Sequence, residues 1–153
     1  LSALILKFYL TMDKWLCFRL SMLSTTVRRI INIISTSVKE PIQDLGVSNT
    51  IRGSVASWAK TLSVEVAQGG ITVNSILPGF TATDRLSSLI YSISKSKGKS
   101  EDAIALDMKN KVPSGRFGMP QEIAKAIAFL ASSSAGYING VSLAVDGGRL
   151  SSI

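Results

Sequence analysis

Hydroxyl side chains gather at the ends of two apolar runs in this sequence, and those ends are where chemistry can sit. Ile30, Ile31, Ile33 and Ile34 lead straight into Ser35-Thr36-Ser37, and Ile71, Val73, Ile76 and Leu77 lead into Pro78-Gly79-Phe80-Thr81-Ala82-Thr83. Serine and threonine hydroxyls donate and accept hydrogen bonds but are too weakly acidic to release a proton at neutral pH. They suit the holding of a carbonyl, an amide or a phosphate. Each also has a plainer use: Ser35 can satisfy a backbone group at a strand end, and Thr83 can cap a helix that starts at Asp84.

Composition narrows the chemistry further. The chain has no His, so the commonest metal ligand and acid–base residue is missing, which argues against zinc chemistry, any metal site and a His-based triad. The single Cys17 cannot form an internal disulfide. It fits a reducing, cytoplasmic setting and reads as an inert thiol. The 17 Lys and Arg outnumber the 10 Asp and Glu, and the excess is densest at Lys95, Lys97 and Lys99. No aromatic residues interleave with those lysines, so the expectation is a solvated, mobile loop and no nucleic-acid partner. No apolar run approaches the ~20 residues of a membrane helix. Lys7 interrupts Leu1–Leu10 and no basic stretch precedes it, so neither a membrane partner nor a signal peptide is expected.

Several elements must position the hydroxyl-rich ends. Ile51, Val55, Trp58, Leu62 and Val66 follow helical spacing, with Lys60 and Glu65 on the other side. Gly69-Gly70 close that helix, and the strand that follows stops at Pro78-Gly79. The isoleucine run before Ser35 reads as a strand buried on both faces, the mark of a parallel sheet covered by helices. Thr83-Asp84-Arg85-Leu86 opens the next helix, and Glu101 to Lys111 forms another, closed by Val112-Pro113. Pro120 begins a further one with Glu122 in its first turn and Ile123, Ile127 and Leu130 on its apolar face. Tyr137-Ile138-Asn139-Gly140 then turns into a last strand, Val141 to Val145, ended by Asp146-Gly147-Gly148. Strand, helix, strand, helices, strand predicts an α/β parallel sheet with right-handed crossovers. Ligands bind at the carboxyl edge of such sheets. Residues 1–28 are expected to be irregular or helical, with Leu1, Leu4, Ile5 and Phe8 on one helical face and a second helix from Asp13. The start at Leu1 fits a fragment, or a true start at Met12.

Five stretches together resemble the C-terminal half of the short-chain dehydrogenase/reductase family. They are Arg29-Ile30-Ile31-Asn32-Ile33-Ile34-Ser35, Lys60 to Ala67 followed by Gly70-Ile71-Thr72-Val73-Asn74, Pro78-Gly79 with Thr83, Gly115 to Ala124, and Val145-Asp146-Gly147-Gly148. The resemblance covers about residues 29–149 and implies a truncated doubly wound (Rossmann-like) parallel sheet over 29–153. It implies NAD or NADP as cofactor and a ketone or 3-oxoacyl carbonyl compound as substrate. Ser35 would polarise the carbonyl, and Pro78, Gly79, Thr81 and Thr83 would cradle the nicotinamide. A homo-oligomer would pair through Ile51–Val66 and Val141–Val145.

Two departures from the family bear on activity. The positions of its proton-donating tyrosine and of the lysine four residues later fall on Ser48 and Arg52. Serine is too weak an acid for that role. Arg52 stays charged, so it can hold a ribose or phosphate but cannot relay a proton. As bare residues, Ser48 reads as a helix N-cap and Arg52 as a surface cation. The family's glycine-rich phosphate turn also has no counterpart, since residues 1–29 contain no glycine. The expectation is an oxidoreductase-family chain impaired in catalysis. The alternative is a non-catalytic oligomerisation subunit, with the Ile30–Ile34 strand as an open edge for pairing.

Overall fold

A computed structural model of the chain describes residues 3–6 and 28–152. Among them, β1 (Ala3–Leu6), β2 (Arg29–Ile33), β3 (Thr72–Pro78) and β4 (Ser142–Val145) form one parallel sheet in that order. Helix α1 (Gly46–Glu65) joins β2 to β3, and α2 (Asp84–Lys97), α3 (Glu101–Lys109) and α4 (Pro120–Ala131) lie between β3 and β4. The architecture is the α/β parallel sheet that the order of elements predicts and the Rossmann-like arrangement that the family resemblance implies.

Successive side chains of a strand point to opposite faces, and each face of this sheet has its own helix. Ile30 and Val73 pack on Ala59, Leu62 and Val66 of the α1 side. Ile31 and Ile76 pack on Ile123 and Leu130 of α4 and on Ala135. Ile30 and Ile31 are both completely buried, as a strand covered on both sides requires. A third cluster, Leu86, Ile90, Ile104 and Met108, joins α2 to α3 and takes in Phe80 and Phe117.

Two asparagines carry the pairing of β3 beyond the start of β4. The Asn74 amide donates to the Ile138 carbonyl at 2.9 Å and accepts the Val141 N–H at 3.1 Å. Asn139 accepts the Val73 N–H at 2.8 Å and donates to the Ser63 carbonyl at 2.8 Å. A side-chain amide has the donor and acceptor of a peptide group, so these residues stand in for ladder bonds where the loop is not yet a strand.

Several expectations are corrected. Ala3–Leu6 pairs with β2 as a strand, so the Ile30–Ile34 segment is not an open edge and this stretch is not helical. Over so few residues an apolar run does not distinguish helix from strand. The helix start at Asp13 and the Cys17 thiol lie outside the described residues. Ile51 is 58% exposed and stands off the apolar stripe. Lys95 and Lys97 belong to the last turn of α2, not to a loop. Gly98 closes that helix at φ 62°, and cations at a helix C-terminus are favoured by its dipole. Lys99 follows and pairs with Asp107 at 3.6 Å. No helix among the described residues is long and apolar enough to cross a membrane.

A candidate active-site cleft at the carboxyl edge of the sheet

The exits of β2, β3 and β4 converge on one side of the molecule. Past β2, the Ile34 N–H still bonds the Ile76 carbonyl at 2.9 Å, after which the chain leaves the sheet. Ser35 then opens a short 3-10 turn, Thr36–Val38, its Oγ accepting the Ser37 N–H at 3.1 Å. The Ser35 hydroxyl therefore keeps its own hydrogen to donate. Arg52, on α1, reaches the same turn and donates to the Ser37 hydroxyl at 3.5 Å.

At the end of β3, Gly79 donates its N–H to the Val145 carbonyl at 3.0 Å. A Cβ on Gly79 would sit 2.7 Å from the Asp146 backbone, so glycine is required by the close approach of the two strand exits. Thr81 and Thr83 turn their hydroxyls back on this loop, donating to the carbonyls of Gly79 at 3.2 Å and Thr81 at 3.3 Å. Their oxygen lone pairs stay available to a ligand. Thr83 occupies the N-cap position of α2, although its side chain does not cap the helix. The loop is latched to the Gly115–Pro120 segment: Gly118 donates to the Phe80 carbonyl at 2.9 Å, and Ala82 donates to the Gly118 carbonyl at 2.8 Å.

After β4, the Asp146 carboxylate accepts the N–H groups of Gly148 and Leu150 at 3.0 and 2.8 Å. That turn brings Arg149 back across the exits. Its Nη1 donates to the Thr36 hydroxyl at 3.1 Å, and its guanidinium lies 4.4 Å from the Phe80 ring centroid.

Ser35, Arg52, Pro78, Gly79, Thr81 and Thr83, six residues singled out from the sequence, line one cleft of about 300 Å³. Ser48 is not among its lining residues. It is the third residue of α1, whose N-cap position is held by Leu45, so the N-cap expectation for Ser48 is corrected. Asn49 does the work of anchoring this helix start, donating from its amide to the Ile42 carbonyl at 2.7 Å.

Arg85 and Arg149 also line the cleft and were not picked out from the sequence. A signal existed: in a parallel sheet the residues after each strand share one edge, which places the residue after Asp146-Gly147-Gly148 beside those after Ile34 and Pro78.

A neighbouring pocket of about 100 Å³ is built differently. Arg116 grips Glu122 through two bonds of 2.8 and 2.7 Å, and the same carboxylate accepts the Met119 N–H at 2.7 Å. The Arg116 hydrogen bond and the Met119 N–H lower the Glu122 pKa to about 2. No group of three or more His, Cys, Asp or Glu placed to hold a metal ion occurs among the described residues.

Residues 16–149 match the family described as enoyl-(acyl carrier protein) reductase. The NADPH-dependent reductase BacG of Bacillus subtilis is 37% identical over 129 residues, covering 82% of this chain and 48% of the relative. The 3-oxoacyl-[acyl-carrier-protein] reductase FabG of Haemophilus influenzae is 41% identical over 130 residues, covering 84% and 48%. The chain thus spans about half the length of the curated relatives it matches. Among solved structures, YwfH, an NADPH-dependent reductase involved in bacilysin biosynthesis, superposes with a TM-score of 0.86 at 28% identity, over 100% of this chain and 68% of that one. An actinorhodin polyketide ketoreductase with NADPH gives 0.80 at 25% identity, over 97% and 67%.

Proposed function

The chain belongs to the short-chain dehydrogenase/reductase family, and we propose that its cleft receives the nicotinamide end of NAD or NADP together with a small ketone or 3-oxoacyl compound. The observation that carries this reading is the convergence of Ser35, Arg52, Pro78, Gly79, Thr81 and Thr83 on one cleft at the carboxyl edge of a parallel sheet. The reductases among its relatives support the class of reaction. The single cysteine in the sequence, Cys17, fits a reducing, cytoplasmic setting.

The residues fit the nicotinamide end of the cofactor. Thr81 and Thr83 keep acceptor lone pairs for a carboxamide, and Arg52 supplies charged donors for ribose hydroxyls or a phosphate. The phosphate-binding, glycine-rich turn is not matched, since the first glycine in the chain is Gly46. When bound, a nicotinamide cofactor supplies or accepts a hydride. Ser35 donates its O–H to the substrate carbonyl and stabilises the negative charge that develops on that oxygen. The proton that completes reduction is the weak point: neither Ser48 nor Arg52 can release one at neutral pH, so water must provide it and turnover is slow.

Cofactor oxidation with a panel of ketones tests this, comparing the natural chain with Ser35→Ala and with the double variant Ser48→Tyr/Arg52→Lys. The double variant restores an acid and the lysine that tunes it, and it should raise the rate at least about 100-fold. Adding Ser35→Ala should remove that gain. Absence of turnover in every variant would overturn the reading.

A second reading, a non-catalytic subunit of a homo-oligomer, is favoured by exposed apolar side chains. Val47 and Ile51 lie one turn apart on α1, Phe129 is exposed on α4, and Val141 and Leu143 are exposed at β4. Sedimentation should then give a dimer or larger, and a clean monomer at micromolar concentration would contradict it.

A further inference from the structure

The cleft is cationic as well as hydroxyl-lined. Arg52, Arg85 and Arg149 face it and no Asp or Glu lines it. Ion pairs among the described residues are formed by Lys99 with Asp107 and by Arg116 with Glu122, so none of the three cleft arginines has a carboxylate partner there. Asp146 and Glu40 are engaged by backbone groups: Asp146 holds two backbone N–H groups, and Glu40 accepts the Ser151 N–H at 2.7 Å.

Arg149 is the best fixed of the three. The Asp146 turn sets its backbone, the Phe80 ring supports one face of its guanidinium, and the Thr36 hydroxyl takes one of its five N–H donors. The remaining donors form a planar fork that matches a carboxylate or phosphate. Ser35, Thr36 and Arg149 line the same cleft, so the fork and the hydroxyl that would hold a carbonyl face one space. Apolar side chains also line the cleft, among them Ile42, Leu45 and Leu89.

We propose that the cleft selects an anionic carbonyl compound, an oxo acid whose carbonyl meets Ser35, whose carboxylate is gripped by Arg149 and whose alkyl part lies on the apolar side chains. The inference rests on the cleft as the ligand site of the proposed function, and it adds the substrate's charge and the residue that reads it. Arg149 acts on specificity, not on the hydride step.

Equilibrium binding to the full chain tests it with matched probes, 2-oxopentanoate against 2-pentanone, with inorganic phosphate as a competitor. The oxo acid should bind at least about tenfold more tightly than the ketone, because only it makes the charged, two-pronged contact. Arg149→Gln should abolish that difference, and Arg149→Lys should restore only part of it. Phosphate should displace the oxo acid and not the ketone. Thermal melts of each variant identify any loss of fold. If Arg149→Gln melts early, the partial effect of Arg149→Lys carries the test. Equal affinity for the two probes, or a preference that survives both substitutions, would overturn the anion proposal and leave the carbonyl cleft standing. Binding of neither probe would overturn both.

Discussion

Arg116 and Arg149 are treated in opposite ways. Arg116 follows Ser114 and Gly115 into the loop that carries Phe117, while Arg149 stacks on Phe80, and the two rings meet edge to face with centroids 6.4 Å apart. Arg116 is closed off by a two-bond grip on Glu122, which is itself fixed by the Met119 N–H. Among the described residues Arg149 meets a neutral hydroxyl and a ring, and it shares its cleft with two other arginines and no carboxylate. The fold matches one guanidinium fully and leaves the three in the cleft without a carboxylate partner among the described residues, and that contrast is what the proposed anion site rests on. Charge that serves the fold is neutralised locally; charge that serves a ligand is held ready.

Four substitutions sharpen or break that contrast. Gly79→Ala should have the largest effect. It forces a Cβ into the Asp146 backbone at the contact on which both regions depend, and should destabilise by about 3 kcal/mol in urea unfolding. Asp146→Ala comes next. It removes the acceptor for two backbone N–H groups and should cost about 2 kcal/mol, while loosening Arg149 without touching Arg116.

Glu122→Gln is a smaller, pH-dependent case. The folded-state pKa of Glu122 lies at about 2, below its ordinary 4.5. Its carboxylate therefore contributes stability that is fully present above pH 4.5 and is lost as the pH falls toward 2. Melting curves of the natural chain should drop through that window more steeply than those of Glu122→Gln. The pair is exposed, so the gain above pH 5 is modest and should shrink with salt. Arg149→Gln should do least to stability, a change within about 0.5 kcal/mol, because no ion pair is lost. A large loss there would show that Arg149 serves the fold after all, and the contrast with Arg116 would fall.

Much of the fold was legible because each of its signals is local. The isoleucines before Ser35, Pro78-Gly79 and Pro120 each act through their own backbone, and the structure places β2, the end of β3 and the start of α4 at them. By contrast, α1 already ends at Glu65, and Gly70, at φ 72°, closes the short 3-10 turn Ala67–Gly69 that follows. Six of the seven candidate residues share one cleft: Ser35, Pro78, Gly79, Thr81 and Thr83 lie at the ends of β2 and β3, and strand exits share an edge, whereas Arg52 comes from α1 and rested on the family resemblance. What could not be read depends on distant partners. Arg149 acquires its place only when the Asp146 turn meets Thr36 and Phe80, 113 residues apart in the first case. Asn74 and Asn139 are ordinary polar residues until β3 and the loop before β4 lie side by side. Ser48 misled because capping depends on where a helix starts, and α1 begins two residues earlier, at Gly46. Ala3–Leu6 misled because the partner that makes it a strand is β2, more than twenty residues away in the chain.

The account rests on the nicotinamide end of a cofactor meeting the edge where β3 gives way to Gly79. Saturation-transfer NMR on the chain with NADPH tests this most directly, because nicotinamide and adenine protons are read separately in one spectrum. The nicotinamide protons should receive the stronger transfer, and Arg52→Gln should weaken it. Transfer confined to the adenine protons, or none to either ring at millimolar cofactor, would contradict the account.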